Sequence, residues 1–240
     1  RENGFPDIRV IDDNRGRLSP EILEREISKA DILGLTGTTS QFVSACNLIS
    51  LARKHNVLTV YGGVHATFEF PIADITVKGE GESAFLDILK GGREKTYEYP
   101  FIKNLDSLPF PARDLIPIKE YCTRELERFD GPYTHMMSGR GCSSKCIFCS
   151  SPLMWKYPRL MSARRVFDEM LEVYEKYGFK NIHFQDDTFT LSPRRISKLC
   201  DLLIDSDISF KFSCQTRPDM VDDELLSKMA KAGCVQIEFG

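Results

Sequence analysis

Residues 134–152 read THMMSGRGCSSKCIFCSSP. A short β-forming run, THMMS, gives way at Gly139 to a loop of glycine and serine that holds Cys142, Cys146 and Cys149 within eight residues. A helix comes next: SARRVFDEMLEVYEKYG carries Val166, Met170 and Tyr174, with Phe167 and Leu171 beside them, at the 3.6-residue period of an amphipathic stripe. The rhythm then repeats as strand NIHFQ, helix PRRISKLCDLLID, strand ISFKFSC, helix DDELLSKMAKAG and strand VQIEF. Strands that alternate with helices make parallel βα units. Residues 133–240 therefore read as the first half of a (β/α) barrel, with the three cysteines on its first βα loop, at the end where barrels place function.

The same alternation occupies residues 1–92: DIRVIDD, PEILEREISKA, DILGLTG, FVSACNLISLARKHN, VLTVYGG, DITVKG and ESAFLDILK. Ser19, Pro20 and Glu21 give a cap, an N1 proline and an acid in order, so a helix starts there. A Rossmann-like domain is expected. Such sheets bind ligands beyond the carboxyl ends of their strands. Three loops of small residues fall there: Thr36 to Ser40 (with Thr38), Gly62-Gly63-Val64-His65, and Gly79-Glu80-Gly81-Glu82. Any one alone is a tight turn; three on one edge point to a bound cofactor. No G-x-G-x-x-G opens a helix, which disfavours a dinucleotide. Residues 93–132, with Pro100, Pro109, Pro111, Pro117 and Pro132, fit neither period and read as a linker or strap. Phe101, Leu108, Phe110, Leu115 and Ile116 argue that it packs on a surface.

Composition narrows the class. The 240 residues hold 32 basic and 35 acidic side chains, a net of -3 with no basic block, so nucleic acid is not an expected partner. No apolar run is long enough for a membrane helix, and the chain reads as cytoplasmic. Of the eight cysteines, Cys46, Cys122, Cys200, Cys214 and Cys234 are scattered, as small hydrophobes in a reducing compartment would be. Both ends read as cut: RENGF resembles the last turn and cap of a helix, and VQIEFG is a strand with nothing after it.

The C-x3-C-x2-C spacing lets one loop wrap a single iron–sulfur cubane, for which thiolates are the usual ligands. Three ligands to four irons leave one iron open to a chelating substrate. Zinc is the alternative; it wants a fourth ligand, and His135 is the nearest candidate, though a strand and helix would have to bend to bring it round. A redox pair of Cys146 and Cys149 leaves Cys142 unexplained.

Cys142, Cys146, Phe148 and Cys149 match the C-x3-C-x-aromatic-C signature of the radical S-adenosylmethionine (radical SAM) enzymes. GGVHAT (62–67), VKGEGE (77–82), LDSLPFPARDLIP (105–117), SGRGC (138–142), FQDDTF (184–189) and the run from Thr216 to Gly240 further resemble the cobalamin-binding members of that family. The resemblance implies a 4Fe-4S cluster on Cys142, Cys146 and Cys149, with SAM chelating the open iron and cleaved to a 5'-deoxyadenosyl radical. It places Phe148 beside the adenine and makes the first half a cobalamin domain, with Thr38, Ser40, Gly62, Gly63, His65, Gly79, Glu80 and Gly81 as candidates around that cofactor. Asp186 and Asp187 stand where many relatives have a Gly-Gly-Glu for the SAM amino group, and they are also placed to cap a helix. Gln215 and Arg217 face the same end, Arg217 for a carboxylate of SAM or substrate or for a neighbouring acid; Glu238 joins them if its register is right. No Asp-x-His-x-x-Gly cobalt-ligating loop is present, and His65 is a hydrogen-bonding residue before it is a ligand. The implied reaction is C-methylation of an unactivated carbon in a small molecule or peptide, with flavodoxin or ferredoxin as reductant. Oxidative cyclisation or rearrangement by the same architecture, and a non-catalytic zinc- or ligand-binding module, are the alternatives.

Overall fold

A computed structural model describes residues 3–12, 18–67, 72–121 and 129–240, in two compact units, Arg1–Ile102 and Lys103–Gly240. Cys122, Asp13 and the start of the helix end read at residues 1–4 lie outside the described residues. Among the described residues no helix is long and apolar enough to cross a membrane.

In the first unit α1 (Pro20–Ile27) begins as its sequence dictates, with Ser19 Oγ accepting from the Ile22 N–H. There follow β1 (Ile32–Thr36), α2 (Phe42–Lys54), β2 (Leu58–Gly62), the single turn α3 (Val64–Thr67), β3 (Ile75–Lys78), α4 (Glu82–Leu89) and β4 (Thr96–Glu98). All four strands are parallel, in the order β1-β2-β3-β4. Consecutive strand residues point to opposite faces, and here both faces are covered. Val60 packs with Ile75, Val77, Ala84 and Ile88, whereas its neighbour Tyr61 packs with Ala45 and Ala66. Helices therefore cover both sides of a Rossmann-like sheet, as expected. Two details differ. DIRVIDD is not a strand over its described residues: Val10 and Ile11 are exposed and Ile8 only half-buried, and no ladder holds it. Conversely, Thr96–Glu98, inside the stretch read as a strap, pairs with β3 because Tyr97 has a core to enter.

The second unit contains α5 (Ile118–Tyr121), β5 (Tyr133–Met136), the two-residue strand β6 (Gly139–Arg140), α6 (Ser151–Met154), its partner β7 (Arg159–Leu160), α7 (Ala163–Tyr177), β8 (Asn181–Phe184), α8 (Pro193–Ile204), β9 (Lys211–Thr216), α9 (Asp223–Lys231) and β10 (Cys234–Phe239). The main sheet is parallel in the order β10-β9-β8-β5, one βα unit after another, as in an opened half-barrel. Ser162 and Asp222 cap α7 and α9 by accepting from the N–H groups of Arg165 and Leu225 at 3.1 and 2.8 Å. Met136, Ile182, Phe184, Phe212 and Cys214 are buried on one face. Across the other face His135, His183, Ser213 and Gln236 stand in register, four polar residues where a closed barrel packs aliphatic ones.

The strap lies on α7. Ser162 N–H donates to Asp106 Oδ1 at 2.8 Å, and Arg165 stacks 3.8 Å above the Phe110 ring. Glu169, buried, accepts from Arg113 at 2.5 Å and from Arg165 at 3.0 Å. Phe101, Leu108, Phe110, Leu115 and Ile116 are half-buried, and the most buried described residues of 93–132 are Leu105, Phe129, Tyr97, Arg113 and Ile118.

Candidate active site

The cysteine loop leaves the end of β5 and returns along an antiparallel ladder, Gly139 opposite Leu160 and Arg140 opposite Arg159. Gly141 turns the chain into the loop at φ +85°, with Trp155 so close that a Cβ would meet its side chain at 2.7 Å. Every thiol has a donor. Cys142 Sγ accepts from the Ser144 N–H at 3.4 Å and lies 3.2 Å from Thr188 Oγ1; Cys149 Sγ accepts from the Ser151 N–H at 3.4 Å; Arg217 Nη1 donates to Cys146 Sγ at 3.7 Å. Burial alone would raise the Cys142 thiol, but the bonds from Ser144 and Thr188 outweigh it and hold its pKa below the ordinary value. Among the described residues no three His, Cys, Asp or Glu side chains surround a point where one metal ion would sit. The fit to a cubane rests on the donor set: three thiols on one loop, each with a hydrogen bond suited to a thiolate. Ile147 and Phe148, at 102% and 89% exposure, form the apolar tip of that loop.

The adjacent acids after β8 part company. Asp186 is buried, and its carboxylate accepts from the Ser138 N–H at 3.0 and 3.2 Å and from Ser138 Oγ at 2.8 Å. Burial pushes its pKa up to about 6, against the pull of the Ser138 bonds and of Arg195. Asp187 is exposed, and its Oδ2 accepts from Ser151 Oγ at 2.5 Å, two residues beyond Cys149. Of the two carboxylates read for SAM, Asp187 thus meets the cysteine loop, while Asp186 is taken up at the loop's base. Gln215 and Glu238 are register partners, and Gln215 Nε2 donates to Glu238 Oε2 at 3.2 Å, so both point the same way. Arg217 holds Asp219 bidentately at 2.9 Å as well as reaching Cys146. His135 pairs with Gln185 Nε2 at 2.8 Å and stands edge-on to His183 at 5.4 Å. Sequence reasoning missed Ser138, Ser144, Ser151, Thr188 and Arg195. Ser138 and Thr188 stood inside the quoted stretches SGRGC and FQDDTF without a role; Ser144 and Ser151, in a serine-rich loop, looked like any other serine.

In the first unit a cavity of about 460 Å³ opens at the carboxyl ends of β1, β2 and β3. Gly62, Gly63, Gly79 and Gly81 line it, with Thr36, Val60, Val77 and Phe85. Gly63 has φ +91°, and a Cβ there would stand 2.4 Å from Thr36 Oγ1. The other four residues proposed for this cofactor have different neighbours. Thr38 and Ser40 form the turn after β1, Thr38 N–H donating to Gln41 Oε1 at 2.8 Å and the two hydroxyls lying 2.9 Å apart. His65 is buried against Phe42, its Nδ1 3.0 Å from Thr39 Oγ1. Glu80 is buried and accepts from the Ile102 N–H at 2.7 Å, fastening the chain after β4.

Residues 136–240 match the Radical SAM superfamily. An uncharacterized methyltransferase of Pyrococcus horikoshii is 32% identical over 98% of this chain and 57% of its own length. An anaerobic magnesium-protoporphyrin IX monomethyl ester cyclase of Rubrivivax gelatinosus is 24% identical over all of this chain and 49% of its own. The chain thus spans about half the length of these curated relatives. Among solved structures the cobalamin-dependent S-adenosylmethionine radical enzyme OxsB, with aqua-cobalamin and S-adenosylmethionine bound, superposes with a TM-score of 0.77 at 20% identity, over 96% of this chain and 38% of that one. The cysteine loop at the strand ends lies in the stretch the family model matches, so residues 136–240 of this chain form a domain of the Radical SAM superfamily.

Proposed function

We propose that the protein is a cobalamin-dependent radical SAM enzyme that transfers a methyl group to an unactivated carbon of a small molecule or peptide. The observation that carries this is the loop of Cys142, Cys146 and Cys149, each sulfur accepting a hydrogen bond, from the Ser144 N–H, from Arg217 and from the Ser151 N–H respectively. These three residues would hold a 4Fe-4S cluster. When bound with SAM, that cluster supplies a one-electron cleavage that generates a carbon-centred radical. The protein's own part is to orient and to shield. Exposed Phe148 offers a ring for the adenine. Asp187, already accepting a hydrogen bond beside the loop, is an acceptor for the SAM ammonium. Arg217 is a donor for its carboxylate and lies against Cys146. Gly62, Gly63, Gly79 and Gly81 leave room for the backbone to approach a cobalamin, and the cavity of 460 Å³ would take one part of so large a molecule. The name of the Pyrococcus horikoshii relative supports methyl transfer over cyclisation.

The test is anaerobic reconstitution with iron and sulfide, addition of hydroxocobalamin, removal of unbound material and reduction in the presence of SAM. Retention of both an iron–sulfur and a corrin chromophore, with release of 5'-deoxyadenosine or S-adenosylhomocysteine, is expected. Stoichiometric zinc with no iron chromophore and no retained corrin would overturn the reading.

A further inference from the structure

We propose that Arg195 is a positioning residue that clamps both ends of the cysteine loop and the turn after β8 into one seat for cluster and SAM. The inference rests on reading the loop as a cluster site. Arg195 lies in the first turn of α8, over the Phe189 ring at 5.8 Å. Its Nη1 donates to the carbonyl oxygens of Ser138 at 3.0 Å and Met161 at 3.3 Å. Its Nη2 donates to Ser138 Oγ at 3.0 Å and to the Phe189 carbonyl at 3.0 Å.

Each partner has a consequence. Ser138 and Met161 flank the β6–β7 ladder, so one side chain grips the chain where the loop begins and where it ends. Phe189 belongs to the turn that brings Thr188 to Cys142 and Asp187 to Ser151. Ser138 is committed throughout: its N–H and hydroxyl go to Asp186, and its carbonyl accepts from Arg195 and from the Met161 N–H at 2.9 Å. A cation in the first turn of a helix opposes the helix dipole, so the helix gains nothing from an arginine there. The planar fork is what serves three segments at once, and a lysine cannot reproduce it.

The test compares Arg195→Met and Arg195→Lys with the parent chain. Without cluster, iodoacetamide alkylation of Cys142 is followed by mass spectrometry, with buried Cys200 of α8 as an internal report on folding. With cluster, the SAM concentration giving half the change in the reduced-cluster paramagnetic resonance spectrum is measured. In Arg195→Met, Cys142 is expected to alkylate several-fold faster while Cys200 stays protected. The SAM requirement should rise about tenfold, as loss of charge-assisted hydrogen bonds implies, with Arg195→Lys in between. A parent-like alkylation rate and a SAM response within about twofold of the parent would overturn the clamp. If Cys200 loses protection in Arg195→Met, Ser138→Ala decides: a weakened SAM response supports the clamp and an unchanged one removes it. A parent chain that assembles no cluster sinks the cluster reading alone, and the alkylation comparison still decides the clamp.

Discussion

At Gly63 the absence of a side chain shapes the first unit's cavity. The residue sits at φ +91° with Thr36 Oγ1 where a Cβ would be, so both backbone and space exclude alanine. Gly63→Ala is expected to cost about 1–3 kcal/mol in a denaturation experiment and to weaken retention of added cobalamin. Thr188 does comparable work in the second unit, beside Cys142 Sγ. Thr188→Val removes that hydroxyl. In the cluster-free chain the Cys142 thiol should then titrate at higher pH, read as slower alkylation at fixed pH; in the loaded chain the cluster should become harder to reduce, because a donor to sulfur favours the more negative state. The three cysteines and the glycines were legible in the sequence because spacing and residue type alone mark them. The donors around them were not, since Ser144, Ser151 and Thr188 acquire meaning only when the fold sets them against sulfur.

Among the elements, α7 and the strap form a joint. Glu169 is buried between Arg113 and Arg165, so Glu169→Ala leaves two cations without their carboxylate. A loss of about 3–5 kcal/mol in urea unfolding is expected, far more than an exposed pair on the same helix would give. The sequence showed α7's stripe but hid Glu169 as one more charge on an amphipathic helix. At the end of β8, Asp186 has a folded-state pKa of about 6, above its unfolded value. The folded chain therefore binds this proton first, and the residue's contribution to stability grows as pH falls through 6. Relative to Asp186→Asn, the parent should gain about 1 kcal/mol between pH 7 and pH 5, read from denaturant midpoints at the two values. The opposite slope would mean that hydrogen bonds from Ser138 outweigh burial.

Over the whole molecule, the alternation of strands and helices was enough to give two parallel βα sheets. What it could not give was whether an alternating run finds a partner. DIRVIDD has the pattern of a strand and joins no strand ladder among the described residues, whereas Thr96–Glu98, inside the stretch read as a strap, completes a sheet. The polar row His135, His183, Ser213 and Gln236 was invisible for the same reason, because it exists only in the register of four strands. The acid pair Asp186-Asp187 was legible as two carboxylates at a strand end, and its division between loop base and loop face was not. The central claim is that three thiolates hold a cluster with one iron left for SAM. The most direct measurement is the paramagnetic resonance spectrum of the reduced, reconstituted chain with and without SAM. The account predicts a four-iron signal whose g-values change on adding SAM and which Cys146→Ala abolishes; a spectrum that SAM leaves unchanged, or a chain that binds zinc and no iron, would contradict it.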